Sequence, residues 1–333
     1  MTGAQHRPPR HAQPGPTPAA IGRRLVVVGG ALLGVGALGL GVRELTVGDP
    51  VAAAAGRAGL PASGPPSPTP TAAPQASPAR TPSHSAGPSV ATARLVEAPL
   101  LADRIEDLME RRGGELGLEV VDLRRGEAFR VQTREAYCYS TIKVLILTTV
   151  LRQAQEAGEE LTERQRSLAN RMITRSDNAA AEALLADAGR DEVQRVATMV
   201  GMDHTEIDSG WWGLWRTHPR DLGRMVDTLL SRDQVLDGGG RASARFLMAG
   251  VVPAQRWGVF TAEQRAGFYV AGKNGWGPLP DGFRVNSTGW VSGEGSEYVL
   301  SILSRSNNGF AYGRETVGQV AGLCHDAVIA GLA

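Results

Sequence analysis

The pattern of apolar residues predicts an α/β fold of the α+β kind, with one antiparallel sheet flanked by helices and an all-helical subdomain. Three observations lead there. Two alternating segments near residue 120 flank a short turn, five helical segments then follow with no strand between them, and three more strand segments precede a closing helix. Strands at both ends of a helical block imply a sheet assembled from both ends of one domain. In order, a helix is predicted over 101–111, and strands over 116–122 and 128–132 around a turn at 124–127. Residues 141–155 form a strongly apolar helix that should be buried. Arginine- and alanine-rich helices are predicted over 163–173, 179–187, 191–200 and 219–230. Late strands are predicted at 267–273, 284–291 and 298–305, before a final helix over 314–329. The 333-residue chain is 42% hydrophobic, enough for a sizeable core, and no internal repeat is visible.

The domain occupies 96–333, with the helical insertion at about 143–232, and three segments precede it. Residues 1–24 are polar and carry Arg7, Arg10, Arg23 and Arg24, whereas 25–42 is an uncharged apolar run of 18 residues. As a helix it reaches about 27 Å, close to the hydrocarbon thickness of a bilayer. Arginines before it, and only Arg43 immediately after, favour a cytoplasmic tail with everything beyond the span outside the cytoplasm. A cleaved signal peptide is the alternative, since Ala52-Ala53-Ala54 supplies an A-x-A site. The length of the run favours the anchor. No cysteine follows the span, which excludes a lipoprotein anchor. Gly34 to Gly39 matches a dinucleotide-binding glycine motif, but inside an apolar span it lacks the strand and ribose-binding acid that chemistry needs. Gly30 and Gly34 also form a G-x-x-x-G pair. Residues 43–95, most clearly 56–93, are rich in Pro, Ala, Ser and Thr and read as a disordered spacer.

Formal charge is +1, with the two signs interspersed, so no electrostatic footprint for nucleic acid exists. His204, His218 and His325 lack ligand-spaced partners, and Cys138 and Cys324 make neither a disulfide framework nor a metal cluster. Neither metal nor cofactor is expected. Whether the two cysteines pair, and the oligomeric state, are not set by the sequence.

Of 35 basic residues besides histidine, only Lys143 and Lys273 are lysines. A chain this rich in arginine would be expected to use arginine wherever charge alone suffices. An ammonium can lose its proton near neutral pH, whereas a guanidinium does not. Lys143 ends Ser140-Thr141-Ile142-Lys143 at the start of the buried helix, placing hydroxyl and amine on one face of its first turn. The positive end of the helix dipole there disfavours ammonium and favours a developing alkoxide. Ser176-Asp177-Asn178 precedes an alanine-rich helix and is readable as an N-cap or as a loop carrying a relay hydroxyl. Lys273-Asn274-Gly275 is readable as a hairpin turn or as a strand-borne ammonium with glycine behind it.

The order Ser-x-x-Lys, Ser-Asp-Asn, Lys-x-Gly resembles that of the penicillin-recognising serine enzymes. From about residue 101 to the C-terminus the chain resembles class A β-lactamases and their relatives, including Met172-Ile173-Thr174-Arg175 before Ser176 and Thr217-His218-Pro219 at a later helix start. The resemblance implies a β-lactamase/transpeptidase-like fold. It makes Ser140 the acylated nucleophile, Lys143 its base, Ser176 the proton relay, Asn178 a ligand of substrate and lysine, and Lys273 the carboxylate anchor. Gly275 leaves room for backbone contact, and the N–H groups of Ser140 and Trp276 form an oxyanion hole. Such donors typically contribute about 3 kcal/mol each.

Two departures stand out. Class A enzymes carry Glu-x-x-Leu-Asn before the Thr-x-Pro helix, and its glutamate activates the water that frees the acyl-enzyme. Residues 208–216 here, Asp-Ser-Gly-Trp-Trp-Gly-Leu-Trp-Arg, contain no such motif. The interval from Lys143 to Ser176 is also shorter, so an open cleft and slow deacylation are expected. Glu206 and Asp208 are the nearest substitutes by position. Trp211, Trp212 and Trp215 are expected to fill a core beneath a loop rather than to form a stacking surface for glycan or peptide. The expected activity is that of an extracytoplasmic serine hydrolase acting on a β-lactam, or on a small molecule or peptide with a nearby carboxylate. A D,D-peptidase-like enzyme and a noncatalytic cell-envelope binding module are the alternatives.

Overall fold

The computed structural model describes residues 89–131, 135–230 and 235–332. The expected tail, apolar span, most of the spacer and both glycine motifs lie outside the described residues. Among those described, no helix is long and apolar enough to cross a membrane.

The chain enters through a short strand β1 (Arg94–Leu95), helix α1 (Pro99–Arg112), strands β2 (Glu115–Asp122) and β3 (Glu127–Val131), and a two-residue strand β4 (Ala136–Tyr137). A 3₁₀ turn, Tyr139–Ile142, leads directly into α2 (Lys143–Ala157). The helical block continues with α3 (Glu163–Thr174), α4 (Asn178–Ala188) and α5 (Arg190–Val200). After a 3₁₀ turn at Trp212–Leu214 and strand β5 (Arg216–Thr217) come α6 (Pro219–Leu230) and α7 (Gly238–Ala249). A 3₁₀ segment at Gly258–Gln264 then leads to β6 (Phe268–Leu279), β7 (Gly282–Gly293), β8 (Ser296–Arg305) and α8 (Phe310–Ala330).

Local chemistry sets the helix ends. Proline opens α1, Thr162 and Gln165 form a reciprocal capping box on α3, and Gly158 closes α2 at a left-handed φ of 69°. Helix α7 was not expected, because Gly238-Gly239-Gly240 at its start each cost about 1 kcal/mol relative to alanine. It forms because Asp237 caps the amide of Gly240 and because Ala244 and Met248 are buried.

Six strands pair in the order β1-β3-β2-β8-β7-β6, antiparallel throughout except for the short parallel β1–β3 edge. A separate pair joins β4, just before the Ser140 turn, to β5. Both ends of the domain therefore contribute to one sheet, as the pattern implied. Strand β6 runs six residues beyond its expected end at 273. Asn274-Gly275 is therefore not a hairpin turn, since it pairs mid-strand with Ser287 and Asn286. The hairpin instead turns at Pro280-Asp281, just before Gly282, whose φ is 115°.

Helix α6 packs on one sheet face against β2, β7 and β8, and α8 packs on β6, β7 and β8 alongside α1. Two apolar cores result. One joins the helical block, including Leu145, Met172, Leu184 and Val226, while the other holds Ile105, Val120, Leu300 and Val320. Each such buried side chain contributes on the order of 1.5–3 kcal/mol. Cys138 lies in the first core and Cys324 in the second, both as free thiols whose ionisation burial disfavours.

Candidate active site

Strand β6 and the 3₁₀ turn bearing Ser140 touch backbone to backbone. A Cβ on Gly275 would lie 2.7 Å from the Ser140 amide nitrogen, 2.8 Å from that of Thr141 and 2.9 Å from the Cys138 carbonyl oxygen. Two residues on, and so on the same strand face, Gly277 lies under the Tyr139 ring, where a Cβ would come within 2.0 Å of Cε1. The Tyr139 hydroxyl donates to the Pro278 carbonyl at 3.0 Å. Tyr139 itself sits at φ 45°, a conformation costing about 1–3 kcal/mol that its anchored ring and the packed turn maintain.

A third contact comes from β7. Asn286, paired with Gly275, is fully buried and donates Nδ2 to the carbonyls of Tyr137 at 2.8 Å and Cys138 at 3.3 Å, while its Oδ1 accepts from the Ser304 amide at 3.1 Å. The turn is thereby clamped on both sides of its backbone. Ser140 remains partly exposed at the positive end of α2, and its Oγ has no hydrogen-bond partner among the described residues.

Both lysines are fully buried and meet at one hydroxyl. Ser176 Oγ lies 3.3 Å from Lys143 Nζ and 3.0 Å from Lys273 Nζ. Lys143 also donates to the Ser176 carbonyl at 2.6 Å and to Asn178 Oδ1 at 2.8 Å, and Lys273 to the Asn274 carbonyl at 2.9 Å. Burial pushes the Lys143 amine down from an ordinary 10.5 to about 7, against the opposing charge of Asp177. Lys273 lies well below its ordinary value, chiefly from burial and then from the charge of Lys143. A neutral amine has two N–H groups and one lone pair. On Lys143, the Ser176 carbonyl and Asn178 Oδ1 can take the two N–H groups, which leaves the lone pair for the Ser176 hydroxyl at 3.3 Å.

The Ser176-Asp177-Asn178 loop caps a helix and also turns two side chains toward the lysines. Asp177 caps α4 by accepting from the Ala180 amide at 3.0 Å, while the flanking Ser176 and Asn178 side chains face the lysines. Ser176 does so from a left-handed φ of 60°.

Beside Lys143 stands an aromatic face. Nζ lies 4.8 Å from the centroid of the Trp212 ring, and Trp212 and Trp215 are buried, as expected of core residues. Trp211 departs from that expectation, being 42% exposed, with its ring over Gly213 and its edge against Tyr139. Glu206 and Asp208 are exposed, and Asp208 Oδ1 accepts from the Gly210 amide at 2.8 Å. Neither contacts Lys143 among the described residues.

Lys143, Ser176, Asn178 and Lys273 thus form one network, and Gly275 places the amides of Ser140 and Trp276 in adjoining backbone. The Trp276 side chain packs with Trp257 and Phe310. Asn274, following Lys273, is committed elsewhere: its Nδ2 donates to the carbonyls of Gln255 and Trp257 at 2.7 and 2.9 Å. Sequence reasoning missed Asn286, Gly277, Tyr139 and the place of Trp212. No spacing signal exists for contacts between segments so far apart in the chain, although the period-two Gly275-x-Gly277 pattern marks a strand face under close approach.

Residues 100–166 and 159–328 match the Beta-lactamase enzyme family, and the chain belongs to that family of β-lactamase-related serine hydrolases. No curated protein matches the chain by sequence. Among solved structures, PBP-A is 21% identical with a TM-score of 0.64, covering 74% of this chain and 100% of its own. A class A β-lactamase from Bacteroides cellulosilyticus DSM 14838 is 14% identical with a TM-score of 0.62, covering 70% and 99%. A β-lactamase from Sphaerobacter thermophilus DSM 20745 is 19% identical with a TM-score of 0.61, covering 71% and 99%. These likenesses share the fold.

Proposed function

We propose that this chain is an extracytoplasmic, membrane-tethered serine hydrolase that forms an acyl-enzyme at Ser140 from a β-lactam or a cell-wall-peptide-like amide, and that it deacylates slowly. The observation carrying this reading is the shared Ser176 hydroxyl between two buried lysines, with Lys143 poised near neutrality. Ser140 Oγ attacks the substrate carbonyl while its proton passes to the lone pair of Lys143. The amides of Ser140 and Trp276 hold the oxyanion. As the tetrahedral intermediate collapses, the C–N bond breaks and the leaving nitrogen takes its proton from Ser176 Oγ, which is resupplied by the Lys143 ammonium. Lys273 anchors a substrate carboxylate, whose charge draws a proton onto that amine.

Release of the acyl group requires a water and a base. An indole stands beside Lys143, and it offers no lone pair to accept a proton. That observation also favours the second reading, a D,D-peptidase-like enzyme whose acyl group leaves to an amine rather than to water. The test is labelling of the purified protein with a fluorescent penicillin. Covalent label on the Ser140 peptide, lost in Ser140→Ala, is expected. A folded wild-type protein that takes no label would overturn the reading.

A further inference from the structure

Away from the lysine network, a concavity of about 590 Å³ opens where β3, the β4–β5 pair, the start of α6 and the end of β8 come together. It has the size of an ordinary ligand pocket. Four guanidiniums line it, those of Arg130, Arg216, Arg220 and Arg305, together with the imidazoles of His204 and His218. Against them stands one carboxylate, Glu135.

Several arginines elsewhere in the fold are held by a carboxylate at hydrogen-bond distance, as in Arg112–Glu315, Arg125–Asp122 and Arg284–Asp281. Of the four here, only Arg130 is. It donates to Glu119 at 2.7 Å, and Glu119 is buried and forms no part of the concavity wall. Arg216 stands 3.7 Å from Glu135 and Arg305 stands 3.6 Å from Glu115, both too far for a hydrogen bond. Arg220 makes no side-chain hydrogen bond or ion pair among the described residues, and its Nε is buried without a partner. Leaving such a group unsatisfied costs at least about 1–3 kcal/mol. The Arg220 amide donates to His218 Nδ1 at 3.1 Å, which leaves the proton of that ring on Nε2 and makes the imidazole a donor as well. Helix α6 starts at Pro219 and adds the positive end of its dipole to the same side. Positive donors are therefore in excess here, with too few carboxylates among the described residues to match them.

We infer that this concavity binds the phosphate group of an anionic ligand, held chiefly by Arg216 and Arg220, with Arg305 and the two imidazoles as further donors. A phosphate monoester carries a charge of roughly −1.5 to −2 near neutral pH, and its oxygens match guanidinium forks two at a time. A carboxylate would neutralise only one of the three loosely held guanidiniums. Glu135 adds selectivity, because its charge repels any anion and a singly charged one gains too little here to offset that repulsion. The site stands independently of the acyl-enzyme reading.

Calorimetry on the full-length protein with glycerol 3-phosphate and with acetate, at matched ionic strength, tests it. Glycerol 3-phosphate should bind, and acetate should bind at least about tenfold more weakly. Arg220→Gln should weaken glycerol 3-phosphate by at least about tenfold, as expected for losing hydrogen bonds between charged groups. Arg216 is half exposed, so Arg216→Gln should weaken binding without lowering the melting temperature. Glu135→Gln should instead tighten it, by up to about fivefold, a change of sign that a merely structural role would not produce. Either source of the phosphate supports the site. Tighter binding of dihexanoylphosphatidylglycerol, a soluble short-chain lipid, assigns the group to a lipid headgroup, and equal or weaker binding assigns it to a soluble ester. No binding of either phosphate compound, acetate binding as well as glycerol 3-phosphate, or affinity unchanged in both Arg216→Gln and Arg220→Gln would overturn the inference. Labelling of Ser140 by a fluorescent penicillin reports on the acyl-enzyme reading alone and should persist in all three variants.

Discussion

The two sides of Lys143 differ in kind. Toward Ser176, Asn178 and Lys273 the amine meets a connected polar network, with oxygens of Ser176 and Asn178 at 2.6 to 3.3 Å. Toward residues 211–215 it meets an indole face, with Glu206 and Asp208 turned to solvent. The first side gathers two amines and a shared hydroxyl, whereas on the second no carboxylate or imidazole contacts Lys143 among the described residues. The proposed slow release of an acyl group rests on that difference. Burial also outweighs the aromatic contact on Lys143. A fall from 10.5 to about 7 corresponds to roughly 5 kcal/mol disfavouring the charged form, whereas an indole face favours a cation by about 0.5–2 kcal/mol.

The strongest way to break this contrast is Lys143→Arg, which keeps the charge and removes the lone pair. Acylation of Ser140 by a penicillin should slow by about 10³-fold, and a rate within threefold of wild type in stopped-flow measurements would show that no neutral amine is needed. Gly275→Ala drives a methyl into the Ser140 and Thr141 amides. A displacement of about 1 Å there should cost on the order of 10²-fold in acylation rate, with KM changing less than kcat. Asn286→Ala releases the carbonyls of Tyr137 and Cys138. It should slow acylation about tenfold and destabilise the domain by about 1–3 kcal/mol in urea titration.

The pH dependence follows from the lowered pKa of Lys143. The amine accepts a proton only when neutral, so the acylation rate should climb as pH rises toward about 7 and level off above it. Between about 7 and 10.5 the unfolded chain holds a proton on this side chain that the folded chain does not, so stability should rise with pH across that window. Lys273 acts in the same direction. A rate flat from pH 5 to 8 would contradict the assignment. The smallest effect is expected from Trp212→Phe, which keeps an aromatic face near Lys143. Acylation should stay within about threefold while the melting temperature drops by a few degrees.

How much of this was legible in the sequence differs along the same line. The two lysines, the two serines and Asn178 announced themselves because lysine is so rare in the chain and because three short motifs fall in a recognisable order. Regular helices and strands were legible wherever periodicity was strong. Asn274-Gly275 mimics a turn and so hides the full length of β6, whereas the bend falls at Pro280-Asp281, just before Gly282. Helix α7 hid behind three glycines. The clamp by Asn286, the ring of Tyr139 over Gly277 and the placement of Trp212 are tertiary contacts between distant segments, and local patterning does not encode them.

The central claim is that acylation at Ser140 outpaces release. Intact mass spectrometry of the protein after a brief pulse of benzylpenicillin, followed over time, measures both steps at once. The account predicts a single adduct with the mass of the intact drug that persists for many minutes and is absent from Ser140→Ala. A rapid return to the unmodified mass with multiple turnovers of drug would contradict it.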